Sequence, residues 1–140
     1  MEVSDVRRRL RGAIEQAKRR AVERRTRADQ ASRDYEPFLT HIAVPTLQAL
    51  AQALIAEGHR FRLTTPGQTV RLGAEFAPDD YLELSLDTER EAPAVLLRTS
   101  RGRGRRNVGT ERVLGGPIGD ITDEQLLSAV LEELIPFVER

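Results

Sequence analysis

"YLELSLD", residues 81–87, alternates without exception, with Leu82, Leu84 and Leu86 on one side and Glu83, Ser85 and Asp87 on the other. Successive side chains of a strand point to opposite faces, so this pattern belongs to an antiparallel sheet with one face covered and one solvated. Such a strand needs partners and an apolar cover, and both are legible on either side of it. Upstream, "FRLTTPGQTVRLGAEF", residues 61–76, reads as two strands about Pro66-Gly67, a pair that suits a type II turn with proline second and glycine third. Downstream, "AVLLRTS", residues 94–100, makes a fourth strand, and about Asn107 to Leu114 a fifth.

The cover comes from two helices. After the linker "GGPIGD", residues 115–120, Thr122 and Gln125 have the spacing of a capping box, and Ile121 and Leu126 that of a hydrophobic staple. In the helix that follows, Leu126, Leu127, Val130, Leu131, Leu134, Ile135, Phe137 and Val138 cover an arc of about 180°, the signature of a core helix. Glu132, Glu133 and Glu139 lie on its polar side. The second covering helix is expected to start at Pro37, since proline suits the first helical position, and to end at Gly58, which suits a C-terminal cap. Leu39, Ala43, Leu47, Leu50 and Leu54 form its apolar side, with a kink at Pro45, which has no N–H to donate to the His41 carbonyl.

From an N-cap at Ser4, residues 5–36 read as one long charged helix interrupted only by Gly12. Val3, Val6, Leu10, Ile14, Ala17, Ala21, Ala28, Ala31 and Tyr35 fall in a stripe about 100° wide. From Leu10 the spacing alternates four and three, a heptad seam with Arg24 inside it. The fold class expected is therefore α+β: a long N-terminal helix, a second helix, an antiparallel meander of four to five strands and a C-terminal amphipathic helix packed on one sheet face. Residues 1–36 form a charged association arm, and residues 37–140 one α+β domain. The element order over 37–140 resembles that of the double-stranded RNA-binding domain, without its motifs. Glutamates occupy the helix that carries basic residues in that family, so the resemblance implies no function here.

The formal net charge is zero, from 22 bases and 22 acids, but the charge is segregated. Residues 1–33 carry +6 and 98–112 carry +5, against −6 over 34–97 and −5 over 113–140. The second basic block, "RTSRGRGRRNVGTER", holds six arginines and one acid. If Ser100 to Arg106 is extended, Arg101, Arg103 and Arg105 form a comb at about 6.6 Å intervals, with Arg106 beside it, suited to phosphates or an acidic partner. On the N-terminal helix, Arg7, Arg11, Lys18 and Arg25 border one side of the stripe, and Arg9, Arg20 and Arg27 the other. Acid-first i,i+4 pairs, Asp5 with Arg9, Glu15 with Arg19, Glu23 with Arg27 and Asp29 with Arg33, are expected to stabilise that helix.

Asp79, Asp80, Glu83 and Asp87 read as solvated carboxylates, and His41 and His59 as polar residues near helix ends. No metal, cofactor or catalytic-triad spacing accompanies them. The absence of cysteine excludes disulfides and thiolate chemistry and fits a reducing compartment. With no signal-peptide run and no apolar window of membrane-span length expected, the chain reads as cytoplasmic, with no membrane partner. Its expected role is that of a non-catalytic interaction protein, forming a homo-oligomer or docking a protein partner through the N-terminal helix. The alternative is a nucleic-acid-binding module using the basic helix and Arg98 to Arg112, and an enzyme is the third choice.

Overall fold

A computed structural model describes residues 1–139. The chain runs through helix α1 (Val3–Phe38), a π-helical turn (Leu39–Ala43), helix α2 (Val44–Ala56), strands β1 (Phe61–Thr64), β2 (Val70–Ala74), β3 (Ala77–Asp87), β4 (Ala94–Arg103) and β5 (Arg106–Leu114), a 3₁₀ turn (Ile118–Asp120) and helix α3 (Asp123–Val138). The five strands pair antiparallel in chain order, β1-β2-β3-β4-β5, a simple meander.

Register explains the core. Val70, Leu84, Leu97 and Arg112 form one row across β2 to β5, and Leu63, Leu72, Leu82, Thr99 and Thr110 form the next across β1 to β5. On β2, β3 and β4 the apolar members of these rows are buried, and α2 and α3 cover them with Leu47, Leu50, Leu54, Leu126, Val130 and Leu134. Towards β5 the rows turn polar, and there α3 presents its acidic side. Thr110 Oγ1 donates to Glu133 at 3.0 Å, and Arg112 pairs with Glu132 and, at 3.8 Å, with Glu133. Thr99 and Thr110 Oγ1 lie 2.5 Å apart, and the Thr110 N–H bonds Thr99 Oγ1 at 3.1 Å, so the Thr99 hydroxyl donates and a chain of hydroxyls ends on Glu133. Close strand approach requires Gly109, because a Cβ there would sit 2.8 Å from the Thr99 carbonyl oxygen.

The helices depart from the sequence reading at their ends. Helix α1 begins at Val3 rather than after Ser4, with no side-chain cap. Pro37 does not start a helix: it lies inside α1, and the second α-helix begins at Val44 with Pro45 in its first turn. Pro45 cannot donate an intrahelical bond, and the chain widens into a π turn just before it, with the Val44 N–H reaching back to Leu39 O. The helix therefore bends its hydrogen bonding without stopping, and 54 residues, Val3–Ala56, form one continuous helical rod. It ends as expected at Gly58, φ +90°, where His59 N–H reaches Leu54 O at 2.8 Å and Gly58 N–H reaches Ile55 O at 3.0 Å in a Schellman cap. The rod contains an 18-residue window of mean hydropathy 1.4, long and apolar enough to cross a membrane, contrary to the sequence expectation. One third of that window is buried, and length and composition alone do not distinguish such a helix from the core helix of a soluble protein.

Three smaller expectations also change. The β1–β2 turn runs from Pro66 to Thr69, with proline first and glycine second, closed by Thr69 N–H on Pro66 O at 3.2 Å. In α3 the cap is one-sided: Thr122 Oγ1 accepts from Gln125 N–H at 3.1 Å, but the Gln125 side chain donates to Gly115 O at 3.0 Å. Leu131 is 45% and Ile135 50% exposed, while Ala129 is buried, because a 180° apolar arc is wider than one sheet face can cover.

Leu134→Ala or Leu126→Ala should therefore lower stability by about 2–5 kcal/mol, whereas Leu131→Ala should leave the denaturant midpoint nearly unchanged. Equal shifts for Leu131 and Leu134 would contradict this packing. Tyr35 gives a pH test. Its ring is buried against Phe38, with centroids 5.9 Å apart, and its hydroxyl donates to Gln68 O at 3.3 Å. Burial first, and the Glu83 carboxylate second, hold its phenol well above the ordinary value. The neutral form is thus favoured by folding, so its contribution is complete below the unfolded value near 10 and is lost as pH rises through and beyond it. Tyr35→Phe should flatten the alkaline limb of a stability–pH profile, and an unaltered limb would rule out this contribution.

Candidate interaction site

The core holds the rod only from Ala31 onward: Ala31, Tyr35 and Phe38 are the buried residues of α1. Residues before about Ala28 project as a free helical arm, some 25 residues and, at 1.5 Å per residue, about 40 Å long. Its stripe faces solvent, with Val3 74%, Val6 45%, Leu10 57% and Ile14 45% exposed. Val22, 54% exposed, lies off that stripe. The expected i,i+4 ion pairs do not form: Asp5 pairs with Arg8 at 2.5 Å, one residue short of Arg9, and the arm shows no other ion pair among the described residues. Arg9, Arg20 and Arg27 are exposed and unpaired there. Long side chains on a solvated helix have little to hold them in one geometry, which is why spacing alone does not make a pair.

The second basic block divides. Arg98 pairs with Glu111 across β4–β5 at 3.3 Å, and on the outer sheet face Arg71, Glu83, Arg98 and Glu111 stand in register as a row of alternating charge. Arg71 binds Glu83 at 2.5 Å and lies 4.1 Å from the Tyr81 ring centroid. Arg112 faces the opposite way, and its hydrogen bond to Glu132 holds its guanidinium further above the ordinary value. Arg101 is half-buried on the helix-covered face, donating to Pro136 O at 3.4 Å. The comb is therefore broken: β4 ends at Arg103, Gly104 and Arg105 make the hairpin turn, and Arg106 pairs back with Arg103. Only Arg103, Arg105 and Arg106 remain as an exposed cluster at the tip. Asp80, expected to be solvated, is buried in line with Leu82 and accepts the Gly102 N–H at 2.7 Å.

The two basic groups lie at opposite ends of the domain. Phe38 and Ile42 line one cleft with Ile118 and Ile121, just beyond the Leu114 end of β5. The hairpin tip is at the other end of that nine-residue strand, about 30 Å away. Between α2 and α3 runs an open groove of about 870 Å³, walled by Ala49, Ala53, Leu127 and Leu131, with His41, Asp123 and Glu124 at its rim. The sequence reading missed this groove, because it exists only where two helices meet; the over-wide apolar arc of α3 was its one trace. No group of three or more His, Asp or Glu side chains is placed to hold a metal among the described residues. No family model matches the chain, and no curated protein or solved structure matches it.

Since tip and arm share no surface, replacing Arg103, Arg105 and Arg106 together by Gln should leave the solution mass of the full chain unchanged by light scattering. A change in mass would show that the tip contributes to association.

Proposed function

We propose that this chain is a non-catalytic protein-interaction module that self-associates or docks a partner through its N-terminal helix. The observation that supports this reading is the arm: an apolar stripe held out in solvent, 45–74% exposed at its four largest residues, on a helix rooted in the core at one end only. Full burial of a Val, Leu or Ile side chain is worth about 1.5–3 kcal/mol, so four such residues unused in the monomer are a substantial driving force for association. The accessible surface agrees. At 15.7 kDa a compact monomer would expose about 7,300 Å², whereas this chain exposes 9707 Å². The excess, about 2,400 Å², exceeds the roughly 800 Å² that each partner contributes to a standard interface.

The rival reading is nucleic-acid binding, favoured by Arg9, Arg20, Arg27, Arg103, Arg105 and Arg106, which form no ion pair among the described residues. It has against it the separation of the two groups, which denies a duplex one continuous contact face, and the absence of aromatics at the tip for base stacking. Light scattering of the full chain and of a chain lacking residues 1–27, each with and without a mixed duplex, tests both. The full chain should exceed 15.7 kDa in mass, and the shortened chain should be monomeric with its unfolding midpoint retained, since Ala31 and Tyr35 remain. Duplex binding at physiological salt, lost in the Gln variant of the tip, would replace this reading with the rival.

A further inference from the structure

The stripe is graded along its length. Its large side chains, Val3, Val6, Leu10 and Ile14, all lie in the first half of the arm, and Ala17, Ala21 and Ala28 follow in the second. Charge is graded too: residues 1–16 carry +1 and residues 17–33 carry +5. Two arms side by side in parallel would place large against large at one end and alanine against alanine at the other, so the helices could not keep one separation. They would also set +5 against +5. Reversing one arm removes both conflicts. With a two-fold axis between residues 15 and 16, Val3 meets Ala28, Leu10 meets Ala21 and Ile14 meets Ala17, so each of these three layers holds one large and one small residue, while Val6, beside the seam, falls opposite Arg25. These are also the a-to-d layers that the heptad spacing assigns to an antiparallel pair. The centres of the most basic segments then lie about 28 Å apart along the axis, beyond a Debye length of about 8 Å.

We infer that the arm's partner is a second copy of this chain, the two arms forming an antiparallel two-helix rod with one α+β domain at each end. This rests on the reading of the arm as an association element and adds the occupant and its direction. The remaining layer sets Arg7 near Arg24 and is charged in either orientation, so it does not choose between them. A competing occupant, the acidic-rimmed groove between α2 and α3 of a second copy, differs in sign: it would attract the basic arm, whereas paired arms repel.

The chain has no cysteine, so introduced ones report cleanly. Leu10→Cys and Ala21→Cys chains, prepared separately and mixed in the full-length protein, should form a mixed disulfide and no disulfide with themselves. In the antiparallel rod positions 10 and 10 are displaced by about 16 Å along the axis, and a disulfide needs Cα atoms within about 7 Å. Val3→Cys with Ala28→Cys repeats the test should loss of Leu10 weaken the pair. Association should tighten as ionic strength rises from about 0.05 to about 0.5 M, because screening relieves like-charge repulsion. Self-disulfides without the mixed one would show a parallel pair and overturn this inference while leaving the arm as the association element. A monomeric full chain, or association that weakens with salt, would overturn it as well. An oligomer that survives removal of residues 1–27 would overturn the reading beneath it.

Discussion

Everything in this molecule depends on the need to cover one face of the meander. Val70, Leu72, Leu82, Leu84, Val95 and Leu97 stand side by side on the inner face of β2, β3 and β4, and none can stay in water. Helices α2 and α3 cover them, starting from the same end of the sheet, and this shared direction fixes the rest. Because α2 continues α1 through the π turn, covering the sheet also aims the arm. The rod enters along the core, and everything before Ala31 is carried past the end of the sheet into solvent. A helix break at Pro37 would have left the arm's direction to a hinge. The π turn instead carries the helix through, since it changes hydrogen-bond partners without interrupting the helix.

The same packing explains a neutral chain with two basic blocks. Half of the Arg98 to Arg112 block is absorbed by the sheet: Arg98 in the charged row with Glu111, Arg112 against Glu132 and Glu133, and Arg101 against the end of α3. These exposed pairs contribute little individually to stability; those of Arg112 join the inner edge of β5 to the acidic side of α3, whose rotation is set by the buried Leu126, Val130 and Leu134. The arm's own acids give it one ion pair among the described residues, Asp5 with Arg8. Its arginines stay solvated, and their uneven distribution along the helix makes direction matter in any pairing between arms.

Period and punctuation could be read from the sequence because they are local. Alternating leucines in "YLELSLD" required a sheet with one covered face, the Gly58 cap and Thr122 cap placed two helix ends, and four-and-three spacing placed the stripe. Each depends on residues within one or two turns of chain. What failed was also local, but ambiguous: Pro37 and Pro45 both suit a helix start, and only the latter occupies one, because Tyr35 and Phe38 are needed in the core and hold the helix through position 37. Acid-first charge spacing on the arm likewise permits pairs that solvation does not enforce.

Tertiary structure alone decided what depends on register and on which surfaces meet. Nothing near Arg112 in sequence announces Glu132, and nothing near Arg71 announces a row of charge reaching to Glu111; the strand offsets create both. Leu131 and Leu134 are equivalent in a periodic pattern, yet one walls an open groove and the other is core, since the sheet is narrower than the apolar arc. The sequence by itself determined the elements, their faces and the graded stripe, because these follow from backbone geometry and side-chain hydrophobicity along a single segment. Only the folded chain determined that the stripe has no cover within its own domain, because that depends on where two distant helices come to rest on the sheet.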